Sequence, residues 1–223
     1  MKRILALILA LLMLFTLAAC GGSANDSDEP ADAAEQQTEA SDEAEESTDD
    51  TKIAEEGETG GSDILVVYFS WSGHLDSMAH WVADETGGDL YRVTAVDPYP
   101  EDYNATADRA KEEQDNDVHP EIVVDITEEQ MAQYDTVFFG FPVWGYDLPM
   151  SMWTFLESYD FSGKTIIPFF SHEGSSNGAN ALPTIESLAK GATVRSDDAL
   201  SVRGGNVDGA ESEVREWVQG LDY

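Results

Sequence analysis

Three apolar runs predict the central strands of the chain. Ile64–Phe69, Thr136–Phe141 and Lys164–Ser171 are almost continuously hydrophobic over six to eight residues. A strand that is apolar on both sides is typical of a parallel sheet covered by helices on both faces. Leu90–Val96 adds a second strand along the chain, and Thr193–Val202 is a last extended segment. We therefore expect a five-stranded sheet.

Between these strands the apolar positions change to helical spacing. Leu75, Met78 and Val82 fall on one helix face, and Gly87 and Gly88 end that helix. Further helices are predicted at Asn104–Gln114, Thr127–Ala132, Met150–Glu157, Leu182–Lys190 and Gly209–Gln219, with a short extended piece at Ile122–Val124. Strands and helices alternate, which predicts an α/β fold of three layers, a doubly wound parallel sheet between two layers of helices. Such a sheet binds ligands beyond the carboxyl ends of its strands.

The chain begins with a different pattern. Residues 1–19 start with Met-Lys-Arg and continue as an apolar run too short to span a bilayer, which is typical of an export signal. The segment Leu17-Ala18-Ala19-Cys20 resembles the lipobox of bacterial lipoproteins. That resemblance implies cleavage before Cys20 and a lipid on its thiol, and it would explain a single cysteine in an exported chain. The alternative is an ordinary secretory signal followed by a chance cysteine.

A long acidic segment follows the predicted signal. Residues 21–62 contain 15 acidic residues, one basic residue and no aromatic residue. They lack the apolar surface that would offset the entropy of ordering, so we expect residues 20–62 to be a disordered tether that starts at the lipidated Cys20. Residues 63–223 hold every tryptophan and tyrosine and form the predicted folded domain. The expected location is the outer face of a bacterial membrane.

The charge of the chain excludes some functions. The formal net charge is −34 at pH 7, from 45 acidic and 11 basic residues. A nucleic-acid binder needs basic residues to replace the counterions of phosphate, so this class is excluded. The predicted domain alone holds 30 acidic and 8 basic residues. An anionic ligand would therefore have to be held by N–H dipoles and hydroxyl groups, and a protein partner is expected to present a basic patch.

Candidate ligand-binding residues lie in the loops after the first, third and fourth core strands. The first loop, Ser70-Trp71-Ser72-Gly73-His74-Leu75, enters a helix and offers hydroxyl and backbone N–H groups that suit a phosphate. It lacks the lysine of a P-loop and the glycine spacing of a dinucleotide-binding loop. The second loop, Pro142-Val143-Trp144-Gly145-Tyr146, offers two aromatic rings for stacking on a flat ligand. The third loop, His172-Glu173-Gly174-Ser175-Ser176-Asn177-Gly178, has small residues that let a ligand approach closely.

These loops resemble those of flavodoxin-type, FMN-binding domains, and the resemblance covers essentially all of residues 63–223. Ser70–His74 corresponds to the family's phosphate loop, and Gly140–Gly145 resembles its flavin-stacking loop. The resemblance implies a sheet of order 2-1-3-4-5, non-covalent FMN and electron transfer. It also implies the following cofactor-binding residues: Ser70, Trp71, Ser72, Gly73, His74, Leu75, Pro142, Val143, Trp144, Gly145, Tyr146, His172, Glu173, Gly174, Ser175 and Gly178. His74 replaces the usual Asn and Leu75 the usual Thr, which weakens the expected hold on the phosphate.

Other kinds of chemistry fit the sequence less well. Gly174–Gly178 matches the Gly-x-Ser-x-Gly pattern of a nucleophile elbow, but every histidine precedes Ser176, whereas α/β-hydrolases place the histidine after the serine. A phospho-receiver domain needs an Asp at the end of the third strand, and the chain has none there. His80 and Asp84 have the spacing to share a metal on one helix face, although exposed polar residues are the simpler reading.

Three functions remain open at the level of sequence. An electron carrier would dock basic redox partners through its acidic surface. A reductase would use FMN to pass hydride from NAD(P)H to a quinone-type acceptor, although the supply of NAD(P)H outside the cell is doubtful. A flavodoxin-shaped binding module would have lost its flavin. In either redox case the acidic domain is expected to lower the flavin potential.

Overall fold

A parallel sheet lies at the centre of the structure, a computed structural model that describes residues 62–175 and 177–223. The strands of this sheet are β1 Ile64–Tyr68, β2 Asp89–Arg92, β5 Thr136–Pro142, β6 Thr165–His172, β7 Thr193–Val194 and β8 Leu200–Arg203. Two further strands, β3 Thr94–Ala95 and β4 Ile122–Val123, form a separate two-stranded ribbon. The sheet order is β2-β1-β5-β6, and both β7 and β8 pair with β6 in parallel. When only the strands of this sheet are numbered in chain order, β5 is the third and β6 the fourth. The predicted order 2-1-3-4-5 is thus confirmed, and β7 and β8 share the fifth position.

Helices cover both faces of this sheet. They are α1 His74–Thr86, α2 Tyr103–Asp115, α3 Glu128–Met131, α4 Met150–Ser158, α5 Ala181–Leu188 and α6 Glu211–Gly220. Val66 of β1 packs with buried residues of α1 and α6, whereas the next residue, Val67, packs with buried residues of α4 and α5. Successive strand residues point to opposite faces, so one strand serves two hydrophobic cores. The predicted three-layer α/β/α fold is confirmed.

The second predicted strand, Leu90–Val96, is shorter than expected. β2 pairs with β1 as far as Arg92, and the N–H of Val93 donates to the carbonyl oxygen of Tyr68 at 2.8 Å. The neighbouring strand ends at Tyr68, so the chain leaves the main sheet after Val93. Residues 94 and 95 then form β3, which pairs antiparallel with β4.

The last predicted extended segment, Thr193–Val202, is interrupted by a 3₁₀ turn at Ser196–Asp198. The guanidinium Nε of Arg195 donates to Asp198 Oδ2 at 2.7 Å, and the indole N–H of Trp217 donates to the Asp198 carbonyl oxygen at 2.7 Å. These two contacts stabilise the turn. They also explain why β7 and β8 contact different ends of β6 instead of forming one strand.

The first part of the chain falls outside the described residues. This applies to the predicted signal at residues 1–19, to the lipidated Cys20 and to the tether up to residue 61. Within residues 62–175 and 177–223, no helix has the length and the apolar character needed to cross a bilayer.

Candidate functional site

The loops after β1, β5 and β6 meet at one edge of the sheet. All three strands run in the same direction, so their carboxyl ends lie together, and backbone hydrogen bonds join the loop starts. The N–H of Phe69 donates to Gly140 O at 3.0 Å, and the N–H of Val143 donates to Ser171 O at 2.9 Å. The three loops therefore start at the same edge of the sheet, as the sequence predicts.

The end of β1 holds a buried hydroxyl group with no protein partner. Ser70 is only 5% exposed, and among the described residues its Oγ has no hydrogen-bond partner. A buried polar atom left unpaired costs on the order of 1–3 kcal/mol. A polar ligand at the loop would remove that cost. Ser72, two residues further on, is exposed and open to the same ligand.

The loop ends in the N-terminus of α1, which is left without a side-chain cap. Gly73 is the N-cap residue, with φ of +91°, a left-handed conformation that favours glycine. The first backbone bond of the helix runs from the N–H of Ser77 to Gly73 O at 3.3 Å. The N–H groups before Ser77 precede the helical ladder, and the helix dipole favours negative charge there. This end of α1 suits a phosphate.

One basic residue at this loop, Arg92, was missed in the sequence analysis. Arg92 ends β2, and its Nη2 donates to the carbonyl oxygen of Ser70 at 2.8 Å, while its Nη1 lies 3.1 Å from Asp76 Oδ1. Asp76 lies in the first turn of α1. Arg92 thus fixes the loop and offsets a carboxylate that would otherwise repel an anion. The predicted sheet order could have revealed Arg92, because it places the carboxyl end of β2 beside the loop after β1.

The side chains of Trp71 and Leu75, two predicted residues of this loop, contact the protein itself. The indole N–H of Trp71 donates to Pro100 O at 2.8 Å, and its ring lies 6.3 Å from that of Tyr103. Leu75 is 1% exposed and packs in the core between α1, α6 and the sheet. Leu75 can therefore offer a ligand its backbone N–H, but its side chain belongs to the core.

The loop after β5 forms a tight turn at Trp144–Asp147. The N–H of Trp144 donates to Asp147 O at 2.9 Å, and the N–H of Asp147 donates back to Trp144 O at 2.8 Å. Gly145 and Tyr146 both have positive φ, +55° and +70°. A tyrosine in this conformation is strained, and such strain is concentrated at functional sites. Tyr146 is also 70% exposed at the ligand edge.

Gln114 of α2 forms hydrogen bonds to the backbone of this turn. The amide Nε2 of Gln114 donates to Trp144 O at 2.9 Å and to Leu148 O at 3.2 Å. A Cβ atom on Gly145 would lie 2.1 Å from Gln114 Oε1, so a side chain at position 145 would collide with this support. These contacts therefore fix the backbone conformation of the turn, and Tyr146 lies at its tip. Pro142 and Val143, which lead into it, are half-buried.

The ring of Trp144 is anchored in an aromatic cluster. It meets Phe69 and Tyr99 edge-on, with ring centroids 5.4 Å and 5.0 Å apart. Tyr99 donates its hydroxyl to Glu113 Oε2 at 2.7 Å. Burial, together with this hydrogen bond and the charge of Glu113, raises the pKa of Tyr99 above its ordinary range. Trp144 is half-buried, so part of its fixed ring remains accessible at this edge of the sheet.

β6 ends at a histidine whose ring is partly withdrawn from water. His172 is half-buried, and among the described residues its Nδ1 has no hydrogen-bond partner. Burial lowers the pKa of His172, because it disfavours the charged imidazolium, although the charge of Glu173 acts in the opposite direction. Glu173 and Gly174 are exposed, Ser175 is half-exposed, and Gly178 is buried with φ of +71°. Ser176, the candidate nucleophile of the hydrolase alternative, lies outside the described residues.

A fourth segment joins the site from the end of β8. Gly204 is buried, and a Cβ atom at this position would lie 2.4 Å from Glu173 Oε1 and 2.9 Å from His74 Nδ1. The side chains of His74 and Glu173 therefore both lie against this glycine. Arg203 lies beside them, with its Nε 3.7 Å from Glu173 Oε2. Sequence reasoning missed Gly204, although its place after the fifth strand put it at the same sheet edge.

The residues of the metal alternative have other partners. His80 Nδ1 lies 2.7 Å from the carbonyl oxygen of Asp76, and Asp84 Oδ2 lies 3.3 Å from Arg215 Nη2. Among the described residues, no group of three or more His, Cys, Asp or Glu side chains is arranged to hold a metal ion.

Comparison with known proteins agrees with this geometry. The family model described as Flavodoxin matches residues 63–221. A flavoprotein from Lactobacillus acidophilus, solved in complex with FMN, is 25% identical, with a TM-score of 0.51 over 66% of this chain and 96% of its own. Putative flavoproteins from Bacteroides uniformis and Bacteroides eggerthii are each 28% identical, with TM-scores of 0.58 and 0.57 over 70% of this chain and 97% and 95% of theirs. None of the curated proteins compared with the chain matches it. With its family model spanning the whole sheet and all three loops, the chain belongs to the flavodoxin family.

Proposed function

We propose that this chain is an FMN-dependent electron carrier, held at the outer face of a bacterial membrane by a lipid on Cys20. The cofactor is FMN: the chain belongs to the flavodoxin family, and the similar protein from Lactobacillus acidophilus was solved in complex with FMN. When bound, FMN supplies a flat ring that accepts and returns electrons.

The observation that carries this proposal is the buried Ser70 hydroxyl, which has no hydrogen-bond partner among the described residues and lies beside a helix N-terminus without a side-chain cap. A phosphate supplies acceptors for both, because the hydroxyl and the backbone N–H groups of the α1 N-terminus are donors. The residues present therefore fit the phosphate of FMN without a lysine. Ser70, Ser72 and the N–H groups after Gly73 would hold that phosphate, and Arg92 would keep the loop in shape.

The flat ring would lie at the two other loops. Trp144 is fixed by the aromatic cluster and forms one wall, and the exposed ring of Tyr146 stands at the tip of its turn. The small residues at positions 174 and 175 allow close approach on the other side. An exposed ring edge lets an electron pass to a docked protein without a substrate cavity. The acidic surface of the domain favours a partner with a basic patch.

A second candidate function is an FMN-dependent reductase of quinone-type acceptors. One observation favours it: the Nδ1 atom of His172, at the same edge of the sheet, has no hydrogen-bond partner within residues 62–175 and 177–223. Reduction of a quinone requires protons as well as electrons, and histidine is a common proton donor near neutral pH. A carrier has no need of such a group.

Two assays on the FMN-loaded chain separate these functions. In the first, the reduced protein is mixed with a small basic one-electron acceptor protein and with an acidic acceptor of similar potential. We expect faster transfer to the basic acceptor and a rate that decreases with salt. In the second, NADH and a quinone are supplied together, and we expect no turnover above that of free FMN. Fast NADH-dependent quinone reduction that is lost in His172→Gln would replace the carrier by the reductase.

The membrane anchor is tested separately. The full chain and its Cys20→Ala variant are expressed in a bacterium that lipidates exported proteins, and each is partitioned between detergent and aqueous phases. We expect the unchanged chain in the detergent phase, with a mass increase on Cys20, and the variant in the aqueous phase. An unmodified Cys20, with both proteins in the aqueous phase, would contradict the anchor and leave the FMN site untouched.

A further inference from the structure

Three aromatic rings beside the loop after β5 are nearly perpendicular to one another. The planes of Trp144 and Phe69 are 88° apart, those of Trp144 and Tyr99 86° apart, and those of Phe69 and Tyr99 75° apart. The corresponding ring centroids are 5.4 Å, 5.0 Å and 5.7 Å apart, which is the spacing of edge-to-face contacts. The Trp144 ring cannot turn without losing one of these contacts, so Phe69 and Tyr99 set its orientation.

The ring of Tyr99 is held in turn by a closed set of contacts with α2. Its hydroxyl donates to Glu113 Oε2 at 2.7 Å, and Arg109 Nε donates to Glu113 Oε1 at 2.8 Å. The Arg109 guanidinium also lies 4.2 Å from the centroid of the Tyr99 ring. Each of the three side chains thus contacts the other two, and Tyr99 is fixed both at its hydroxyl and at the face of its ring.

The next residue of α2 holds the backbone of Trp144. Gln114 Nε2 donates to the carbonyl oxygen of Trp144 at 2.9 Å, whereas the adjacent Glu113 reaches the Trp144 ring through Tyr99. Two consecutive residues of one helix therefore fix the backbone and the ring of the same tryptophan.

The contacts of α2 are better suited to orienting side chains than to stabilising the fold. The buried residues of α2 are Thr106, Ala110 and Glu113, so this helix brings little apolar surface to the core. Glu113 is only 6% exposed, and a buried carboxylate must recover the loss of its hydration through its partners. Such ion pairs add little net stability, and their best-supported role is to select one arrangement of the groups around them. Here the arrangement is that of Tyr99, and through it that of Trp144.

We propose that Tyr99 and Glu113 are positioning residues of the flavin site, which keep the Trp144 indole in the orientation in which it lies against the flavin ring. The inference rests on the proposed FMN site and extends it from the loops to the helix behind them. Both residues act through Trp144 and not through contact with the flavin. A wall that is oriented before the flavin arrives loses less freedom on binding, so these contacts raise the affinity for the flavin ring.

The test compares Tyr99→Phe with Tyr134→Phe as its matched control, each in the full chain. Tyr134 is also buried, and its hydroxyl donates to Asp89 Oδ2 at 2.9 Å, but this contact lies where β2 and β5 begin, at the opposite end of the sheet. Each variant keeps its aromatic ring and loses one hydrogen bond to a carboxylate. Flavin fluorescence measures the dissociation constants of FMN and of riboflavin, which lacks the phosphate. We expect Tyr99→Phe to bind both flavins about tenfold more weakly and Tyr134→Phe to bind them like the unchanged chain.

A double-mutant cycle tests whether Tyr99 acts through Trp144. Trp144→Ala removes the ring that Tyr99 orients, so the hydroxyl of Tyr99 has nothing left to position. Adding Tyr99→Phe to Trp144→Ala should therefore change the dissociation constants by less than about twofold.

Visible circular dichroism of the bound flavin, recorded at saturating FMN, gives a readout that does not depend on affinity. Its bands depend on a fixed arrangement of the flavin and the indole, so they should decrease in Tyr99→Phe and in Glu113→Ala. Glu113→Gln keeps an acceptor for the Tyr99 hydroxyl and should retain them. Tyr134→Phe should leave the bands unchanged.

Three results would overturn the inference while FMN binding itself stands. The first is a Tyr99→Phe variant with the dissociation constants and the dichroism of the unchanged chain. The second is an effect of Tyr99→Phe that persists at full size in the Trp144→Ala background, or that Tyr134→Phe reproduces, because the hydroxyl would then serve general stability. Unchanged dichroism in Glu113→Ala, or an equal decrease in Glu113→Gln, would overturn the role of Glu113. An unchanged chain that binds neither FMN nor riboflavin would instead overturn the proposed function, and the inference with it.

Discussion

The indole ring of Trp144 meets the phenol ring of Tyr99 edge-on, with 5.0 Å between the ring centroids. This contact connects the loop after β5 to the segment before α2. Tyr99 is fixed in turn by its hydrogen bond to the buried Glu113 and by the guanidinium of Arg109, which lies 4.2 Å from its ring centroid. Trp144, which borders the candidate site, is therefore packed against the hydrophobic core.

This arrangement predicts different outcomes for the two aromatic residues of the turn. Trp144→Ala removes both a core contact and a wall of the site, so it should lower the free energy of unfolding by about 2 kcal/mol and weaken FMN binding. Tyr146→Gly relieves a left-handed tyrosine, so it should raise the free energy of unfolding by up to about 1 kcal/mol while weakening FMN binding. Urea unfolding and flavin titration measure the two quantities. Unchanged FMN affinity in both variants would remove the turn from the site.

The Ser70 hydroxyl, which has no hydrogen-bond partner in the part of the chain that the structure describes, predicts a substitution that separates FMN binding from stability. In Ser70→Ala a buried oxygen without a protein partner is lost, so the free energy of unfolding of the FMN-free chain should stay the same or increase slightly. FMN affinity should decrease about tenfold, because the phosphate loses a donor, whereas riboflavin affinity should not change. A variant that loses stability but keeps its FMN affinity would show that Ser70 has a structural role instead.

His119 predicts a pH dependence of stability away from the site. Its Nδ1 lies 2.6 Å from Glu157 Oε2, and its Nε2 lies 3.1 Å from Asp117 Oδ1. Burial acts to lower the pKa of His119, but the hydrogen bonds and charges of these two carboxylates outweigh it, so the pKa is raised. The folded-state pKa lies above the unfolded value near 6.5, so the stabilisation is full below that value and is lost as the pH rises through the folded pKa.

Urea unfolding of the unchanged chain and of His119→Gln checks this prediction. The difference in free energy of unfolding between the two proteins should be largest near pH 6 and should decrease toward pH 9. A difference that stays constant, or that increases with pH, would mean that the two ion pairs do not stabilise the fold.

The charge of the domain predicts the flavin potential. Residues 63–223 hold 30 acidic and 8 basic side chains, and this negative field disfavours the addition of an electron to the bound ring. The midpoint potential of the bound flavin should lie below that of free FMN, and added salt should raise it by screening. A redox titration at two salt concentrations measures both effects. A midpoint well above that of free FMN would contradict this account of the charge.

The sequence was sufficient for the parts of the fold that depend on local pattern. β1, β5 and β6 follow from uninterrupted apolar runs, and α1 follows from its helical spacing and its terminal glycines. The break at Val93 and the turn at Ser196–Asp198 could not be predicted, because each depends on a partner far away in the sequence.

The placement of the candidate loops was predictable to the same extent. The loops were located correctly, since the carboxyl ends of parallel strands share one edge. The packing of Trp144 against Phe69, the hydrogen bond from Arg92 to Ser70 and the approach of Glu173 to Gly204 depend on which residues of different strands and loops meet. No spacing within one loop encodes those contacts.

A titration of FMN with the purified full chain tests the central claim most directly. The account predicts saturable binding of one FMN per chain, with quenching of flavin fluorescence, because the ring would lie against Trp144 and Tyr146 and the phosphate would bind the Ser70 loop. Flavin fluorescence that stays unchanged, with no FMN retained by the chain after gel filtration, would contradict it.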